Sequence, residues 1–348
     1  MRLIKGVLLC LSLLAAQAWA DWYPLAVRAD GELVQYRPMA QASRLWRICA
    51  LLPHGKDRYW WGVAWGLDGE ARRQGVQLGI YEAGGYENAR QQVTQLQNCR
   101  GQHADAYVIA SINTDELCPE VARLLEDGKP VIDLVNGLEC PGLTAHSRVD
   151  FADMAGAALA YIDRLKPAAG YRLGWLPGPQ GAGWVAAAEA GLQRAMQDHA
   201  VELAHGGYGP VDRASQAQLV RNLLAGSGRV DFILGNAEAA AFAAQLVLQS
   251  GRQADTRVLS LYATERVLEQ IAEGRILAAP SDSPVLQARI AVDLAVRALE
   301  GQPHPREVGP LIEVLDRASL QHFDLSRLMP PEGHWMIRRD LPSLGNAQ

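Results

Sequence analysis

The sequence predicts an α/β protein of two doubly wound parallel-sheet lobes with a ligand cleft between them. Three observations predict it. Short apolar runs alternate with longer amphipathic segments along most of the chain, the pattern of a parallel sheet covered by helices on both faces. The alternation comes in two successive series, separated near Arg148-Val149-Asp150, with no sequence repetition between them. The chain has 348 residues, 49% of them hydrophobic, which is enough to bury a large core and favours two domains over one.

Charge and the N-terminus narrow the class. Lys and Arg number 33 against 38 Asp and Glu, and no basic stripe appears, so nucleic acid is not an expected partner. Arg2 and Lys5 form a basic start, Val7 to Ala16 an apolar run, and Ala18-Trp19-Ala20 a small-x-small site, which together predict a secretory signal over residues 1–20, cleaved after Ala20. The apolar run is short of the roughly 20 residues a spanning helix needs. Leu9 before Cys10 argues against a lipid anchor, and no later segment is apolar enough to span. The mature protein is expected in the periplasm and not itself in the membrane.

Residues 21–43 are polar and aromatic without clear periodicity, and both a flexible arm and a surface cover fit them. The first series then opens with a strand (Ile48 to Leu52), a helix (about Trp60 to Gln74) stopped at Gly75, and a strand (Val76 to Tyr81). Joined this tightly they form a right-handed βαβ unit, because a parallel partner is reached only by a crossover. Ligands in such sheets sit beyond the carboxyl ends of the strands. Tyr59 and Trp60 follow the first strand, and Tyr86 follows the second across a Gly84-Gly85 turn that lets backbone approach a guest. This stretch reads as a binding mouth.

The series continues with a helix near Asn88 to Arg100, a strand at Ala106 to Ala110, a helix at Glu116 to Asp127 and a strand at Val131 to Val135, closed by Asn136. The second series has helices at Met154 to Leu165, Trp184 to His199, Ala214 to Ala225, Ala237 to Gln249 and Glu265 to Glu273. Its strands are Arg172 to Leu176, Val201 to Ala204, Phe232 to Leu234, Val258 to Leu261 and Ile276 to Ala279, followed by Pro280-Ser281-Asp282 and a last strong helix, Gln287 to Leu299.

Several residues carry two readings. Asp57 fits a helix cap as well as a ligand contact. Trp60 starts its helix beside Tyr59 and is the better cleft candidate, while Trp61 and Trp65 share a face and are expected to pack. Asn136 is where a turn residue belongs in any case. Tyr262 follows the last long strand of the second series, and Asp282 sits where a structural hydrogen bond competes with a ligand contact. Pro177 to Gly183 is glycine-rich but lacks both GxGxxG spacing and a GK[ST] ending, so a tight turn lining the cleft is expected rather than a phosphate loop. No GxSxG elbow is present, and nothing supports an enzyme, a metal or a cofactor. Cys49, Cys99, Cys118 and Cys140 remain after the signal, an even count that favours disulfides in an oxidising compartment. Three connectivities are open. Cys49 in a strand with Cys99 at a helix end, and Cys118 with Cys140 at one sheet end, is the favoured pairing.

The signal, ALLPHGKDRYW from Ala50, EAGGY from Glu82, VIDLVNG from Val131, LPGP from Leu176, LSLY from Leu259 and RILAAPSDSP from Arg275 resemble the TorT-like periplasmic trimethylamine N-oxide sensor proteins, in the type I periplasmic binding protein superfamily. The resemblance runs from about Leu45 to Gln302. It implies a chain that crosses between lobes three times, near Val149, near Asp282 and after the last long helix. Lobe one would combine 44–148 with 283–307 and lobe two 149–282 with 308–325, leaving 326–348 as a tail. It implies a pocket of Asp57, Tyr59, Trp60, Tyr86 and Tyr262 for a small methylated amine or amine oxide, and a membrane histidine kinase as partner. To these the sequence adds Asn136 and Asp282. The family carries a tryptophan shortly after the SRV segment, whereas Ser147-Arg148-Val149 is followed here by Asp150-Phe151, so Phe151 takes that place. A sugar-type receptor of an ABC transporter is the alternative.

Overall fold

A computed structural model describes residues 22–165, 170–197, 199–226 and 228–343. The signal expected over residues 1–20 lies outside the described residues.

The first lobe opens with a hairpin, β1 (Leu25–Ala29) and β2 (Glu32–Tyr36). It continues through β3 (Arg47–Leu52), α1 (Arg58–Gln74), β4 (Gln77–Glu82), α2 (Ala89–Gly101), β5 (Ala106–Ile109), α3 (Thr114–Glu126), β6 (Val131–Leu134) and β7 (Ala145–Ser147). The second lobe runs through α4 (Phe151–Leu165), β8 (Tyr171–Leu176), α5 (Gly183–Met196), β9 (Val201–His205), α6 (Arg213–Gly226), β10 (Phe232–Gly235), α7 (Ala237–Gln249), β11 (Arg257–Ser260), α8 (Glu265–Ala272) and β12 (Ala278–Ser281). The chain returns to the first lobe with α9 (Pro284–Leu299) and β13 (Glu307–Pro310), then leaves it again for β14 (Glu313–Asp316).

An eight-stranded sheet in the order β2-β1-β13-β7-β6-β5-β3-β4 forms the first lobe, parallel from β13 to β4, with the hairpin antiparallel at its edge. The second lobe is built on a parallel sheet in the order β11-β10-β8-β9, and β12 pairs antiparallel with β14 beside it. The chain therefore passes between lobes at residues 148–150, at Asp282-Ser283 and at Leu311-Ile312.

Sequence explains the key elements. All six residues of β3, RICALL, are buried, as a central parallel strand covered on both faces requires. α1 begins where Asp57 Oδ1 accepts the Trp60 N–H at 3.0 Å and ends at Gly75, whose left-handed φ of 77° favours glycine. On α1, a Cβ at Gly66 would lie 2.4 Å from the Val285 carbonyl, so the glycine lets α1 and α9 approach closely.

Asp293, buried in α9, accepts from the Tyr36 hydroxyl (2.5 Å), the Met39 N–H (2.7 Å), Gln74 Nε2 (2.9 Å) and Arg297 Nε (2.7 Å). The stretch that fits either an arm or a cover in the sequence is thus a hairpin that widens the first sheet and is pinned to α1 and α9. Past residue 328 the chain returns to this lobe. Arg339 bridges Ile80 at the β4 edge, Trp335 packs 5.3 Å from Trp61, and His334 lies 4.5 Å from Trp65. Trp61 and Trp65 do pack, but beneath the tail and not in the core. Disulfides join Cys49 of β3 to Cys99 of α2 and Cys118 of α3 to Cys140 after β6, with Cα separations of 6.2 and 5.3 Å.

Candidate functional site

The carboxyl ends of the strands converge on a cavity between the lobes. The segment after β3 contributes His54, Asp57, Tyr59 and Trp60, and the turn after β4 contributes Tyr86. Val135 and Asn136 come from the end of β6, Phe151 from the start of α4, Trp184 from the first turn of α5, Val211 from the loop before α6, and Tyr262 from beyond β11. The cavity has room for more than a single water, about 30 Å³ being open to the centre of a water-sized sphere. It therefore suits a guest of a few heavy atoms.

Aromatic rings form most of the wall. Tyr59 stands edge-on to Trp60 (5.4 Å) and to Tyr262 (5.9 Å), the second contact reaching across the cleft. Tyr262 also touches Phe151 (6.2 Å) and Trp184 (6.0 Å). Phe151 and Trp184 lie 5.4 Å apart, so an indole stands beside the position where the resemblance expects a tryptophan. Gly178, in the LPGP turn, makes room for that indole: its φ is 130°, and a Cβ there would meet Trp184 at 2.7 Å. The glycine-rich turn thus shapes the cleft through its neighbour.

The polar groups are few. Asp57 both caps α1 and lines the cavity, its Oδ2 lying 4.0 Å from His54 Nδ1. Asn136 Nδ2 donates to the Tyr86 hydroxyl (3.1 Å) and to the Ser111 carbonyl (2.8 Å). Val135 delivers Asn136 through a left-handed φ of 64°, a conformation that costs a β-branched residue about 1–3 kcal/mol and recurs at functional sites. Trp184 Nε1 is buried without a hydrogen bond of good geometry among the described residues, though it lies close enough to the Tyr86 phenol to favour its ionised form slightly. Burial pushes the Tyr86 phenol up, and burial reinforced by Asp282 and by Asp57 respectively does the same for Tyr59 and Tyr262, so all three stay protonated donors.

Asp57, Tyr59, Trp60, Tyr86, Asn136, Phe151 and Tyr262 come together here. Asp282 does not. It is fully buried at the passage between lobes, where Oδ2 accepts from the Tyr59 hydroxyl (2.6 Å) and from Gln287 Nε2 (2.7 Å), and Oδ1 has no partner. Tyr59 stands between it and the cavity, so Asp282 orients a wall residue instead of meeting a guest. Burial raises its pKa above the usual carboxylate range. His54, Val135, Trp184 and Val211 were not singled out from the sequence. Trp184 follows the same strand-end rule as Trp60, and that rule would have found it. A lone histidine in a loop gives no such signal.

A model of the periplasmic binding protein domain matches residues 48–303. The chain belongs to the periplasmic binding protein family. Among these binding proteins it resembles the periplasmic protein TorT of Escherichia coli K12, with 30% identity over 343 residues and 96% of each chain covered, and the O157:H7 protein to the same degree. An ABC transporter solute-binding protein from Bradyrhizobium sp. BTAi1, crystallised with bis-tris, superposes with a TM-score of 0.80 at 36% identity, covering 92% of this chain and 99% of the other. TorT in complex with the TorS sensor domain gives 0.76 at 26% identity, covering 84% of this chain and 100% of that one. Among the described residues no helix is long and apolar enough to cross a membrane, and no cluster of three or more metal-binding side chains occurs.

Proposed function

We propose that this binding protein captures trimethylamine N-oxide or a related small methylated amine in the interlobe cavity and reports it to the periplasmic domain of a membrane histidine kinase. The observation that carries this reading is the wall itself: Tyr59, Trp60, Tyr86, Phe151, Trp184 and Tyr262 surround a space suited to a few heavy atoms. Aromatic faces attract a quaternary nitrogen by about 0.5 to 2 kcal/mol each. Tyrosine and indole donors suit an oxide oxygen. A sugar would need more room and a set of Asp, Asn and Arg side chains for its hydroxyls, whereas the polar groups lining this wall with charge or amide are Asp57 and Asn136. The likeness to TorT over 96% of both chains, and the solved assembly of TorT with the TorS sensor domain, support the kinase as partner.

A transport role is the second reading, favoured by the 36% identity to the Bradyrhizobium solute-binding protein. Calorimetric titration with trimethylamine N-oxide tests the ligand, and co-elution with the purified kinase periplasmic domain tests the partner. Saturable one-site binding together with co-elution supports the sensor. Binding without co-elution favours transport, and no heat with the amine oxide removes the ligand assignment.

A further inference from the structure

Aromatic faces draw in any methylated nitrogen cation, so they do not separate an amine oxide from a methylammonium of the same shape. We propose that His54 makes this distinction, donating a hydrogen bond from Nε2–H to the ligand's oxide oxygen. The inference rests on the methylated-amine reading of the cavity.

The geometry sets the tautomer. His54 lies between β3 and α1, only 6% exposed, with its ring edge-on to Trp60 (5.9 Å) and Tyr86 (5.7 Å) on the cavity wall. The Lys56 backbone N–H donates to Nδ1 at 3.3 Å, so Nδ1 presents its lone pair there. Asp57 Oδ2, 4.0 Å away, is too far to hold a proton on Nδ1 by a hydrogen bond. A neutral imidazole then carries its one proton on Nε2. Among the described residues Nε2 has no hydrogen-bond partner, and the ring that carries it lines the cavity.

Burial keeps the ring neutral at neutral pH. Burial pulls its pKa below 6.5; Asp57, Glu82 and Glu87 pull it up, and Lys56 pushes it down. Glu82 is paired with Arg338 and Glu87 with Lys56, which limits the upward pull. A neutral donor reads an oxygen without repelling the cationic nitrogen beside it.

The test compares trimethylamine N-oxide with tetramethylammonium, in which a methyl replaces the oxide. Calorimetry on the full mature chain should give a preference for the oxide of about tenfold or more, as expected of a charge-assisted bond. His54→Phe should bring that ratio to within about threefold, and His54→Gln, which keeps an N–H, should retain part of it. On wild-type protein the ratio should rise as pH falls through the native pKa of His54, which burial holds below 6.5, because an imidazolium strengthens the bond to the oxide and repels the ammonium. An unchanged ratio in His54→Phe overturns the inference while leaving the cage reading intact. Binding of neither compound by the wild type would bring down the cage reading, and the inference with it.

Discussion

The Tyr59 hydroxyl donates to Asp282 Oδ2 at 2.6 Å, joining a wall of the cavity to a passage between the lobes. Gln287 extends the link. Its Nε2 donates to the Asp282 carbonyl and carboxylate, and its Oε1 accepts the Val149 N–H at 3.2 Å, so two passages share the first turn of α9.

Asp282→Ala leaves the Tyr59 hydroxyl buried without its acceptor and takes one of the two acceptors from the Gln287 amide. An orphaned buried polar group costs about 1–3 kcal/mol, so chemical denaturation should show a loss of that order, together with weaker ligand binding. Asp282→Asn keeps an acceptor for both donors and should stay within about 1 kcal/mol of wild type at neutral pH. Equal losses in the two variants would mean that the carboxylate is not acting through these bonds.

Gly178→Ala places a methyl where Trp184 stands, at 2.7 Å, in a backbone conformation that L residues rarely adopt. The indole must shift into the cavity. Ligand affinity should fall about fivefold or more, a factor of five being close to 1 kcal/mol, although residue 178 touches no ligand. Titration of the variant checks this, and unchanged affinity would show that the indole does not shape the site.

Tyr262→Ala removes the ring that meets Tyr59 across the cleft at 5.9 Å. A ligand closes the lobes only as far as it binds the closed form better. The variant should keep part of its affinity through the first lobe and lose most of the compaction seen by small-angle scattering on adding ligand. Full compaction in the variant would place the closing contact elsewhere.

Asp293→Ala breaks the buried junction of Tyr36, Met39, Gln74 and Arg297. Removing one partner of a buried charged network costs about 3–5 kcal/mol. Hydrogen exchange should report early opening of residues 25–39, ahead of the second lobe.

Two buried groups act oppositely with pH. His54 has a lowered native pKa, so its contribution to stability is complete above 6.5 and is lost as pH falls through the native value. Asp282 has a raised one, so its contribution is complete below 3.8 and is lost as pH rises through the native value. His54→Gln should therefore flatten the fall of melting temperature below about pH 6.5. The same slope in wild type and variant would show that His54 does not drive it.

The strands from β3 to β6 were legible because each is a short, mainly apolar run bounded by turn residues such as Gly75 and Pro130. β7 is three residues long and β13 contains Pro310, so neither length nor composition announces them. Their pairing depends on distant partners, Val308 with Ser147 and Gly309 with Arg28. The site was legible wherever an aromatic follows a strand end, as Tyr59, Trp60, Tyr86 and Tyr262 do. Asp282 also follows a strand, but the left-handed turn at Ser283, φ 51°, carries the chain back into the first lobe and turns the carboxylate inward. Local sequence does not report such a turn.

The hairpin of β1 and β2 joins its sheet through β13, whose residues arrive nearly 280 positions later, with Val27 opposite Pro310. A chain that emerges from its N-terminus presents the hairpin first and its docking strand almost last. The second lobe's parallel sheet, by contrast, is complete once residue 260 has appeared. The usual order, in which the N-terminal unit folds first, is loosened: the first lobe's sheet waits for β13, while the second lobe's parallel sheet can already form. Pairing across so much sequence is slow, and during that interval the hairpin, with Leu33 and Val34 exposed even in the native state, is the part most open to capture by a chaperone or by another unfinished chain.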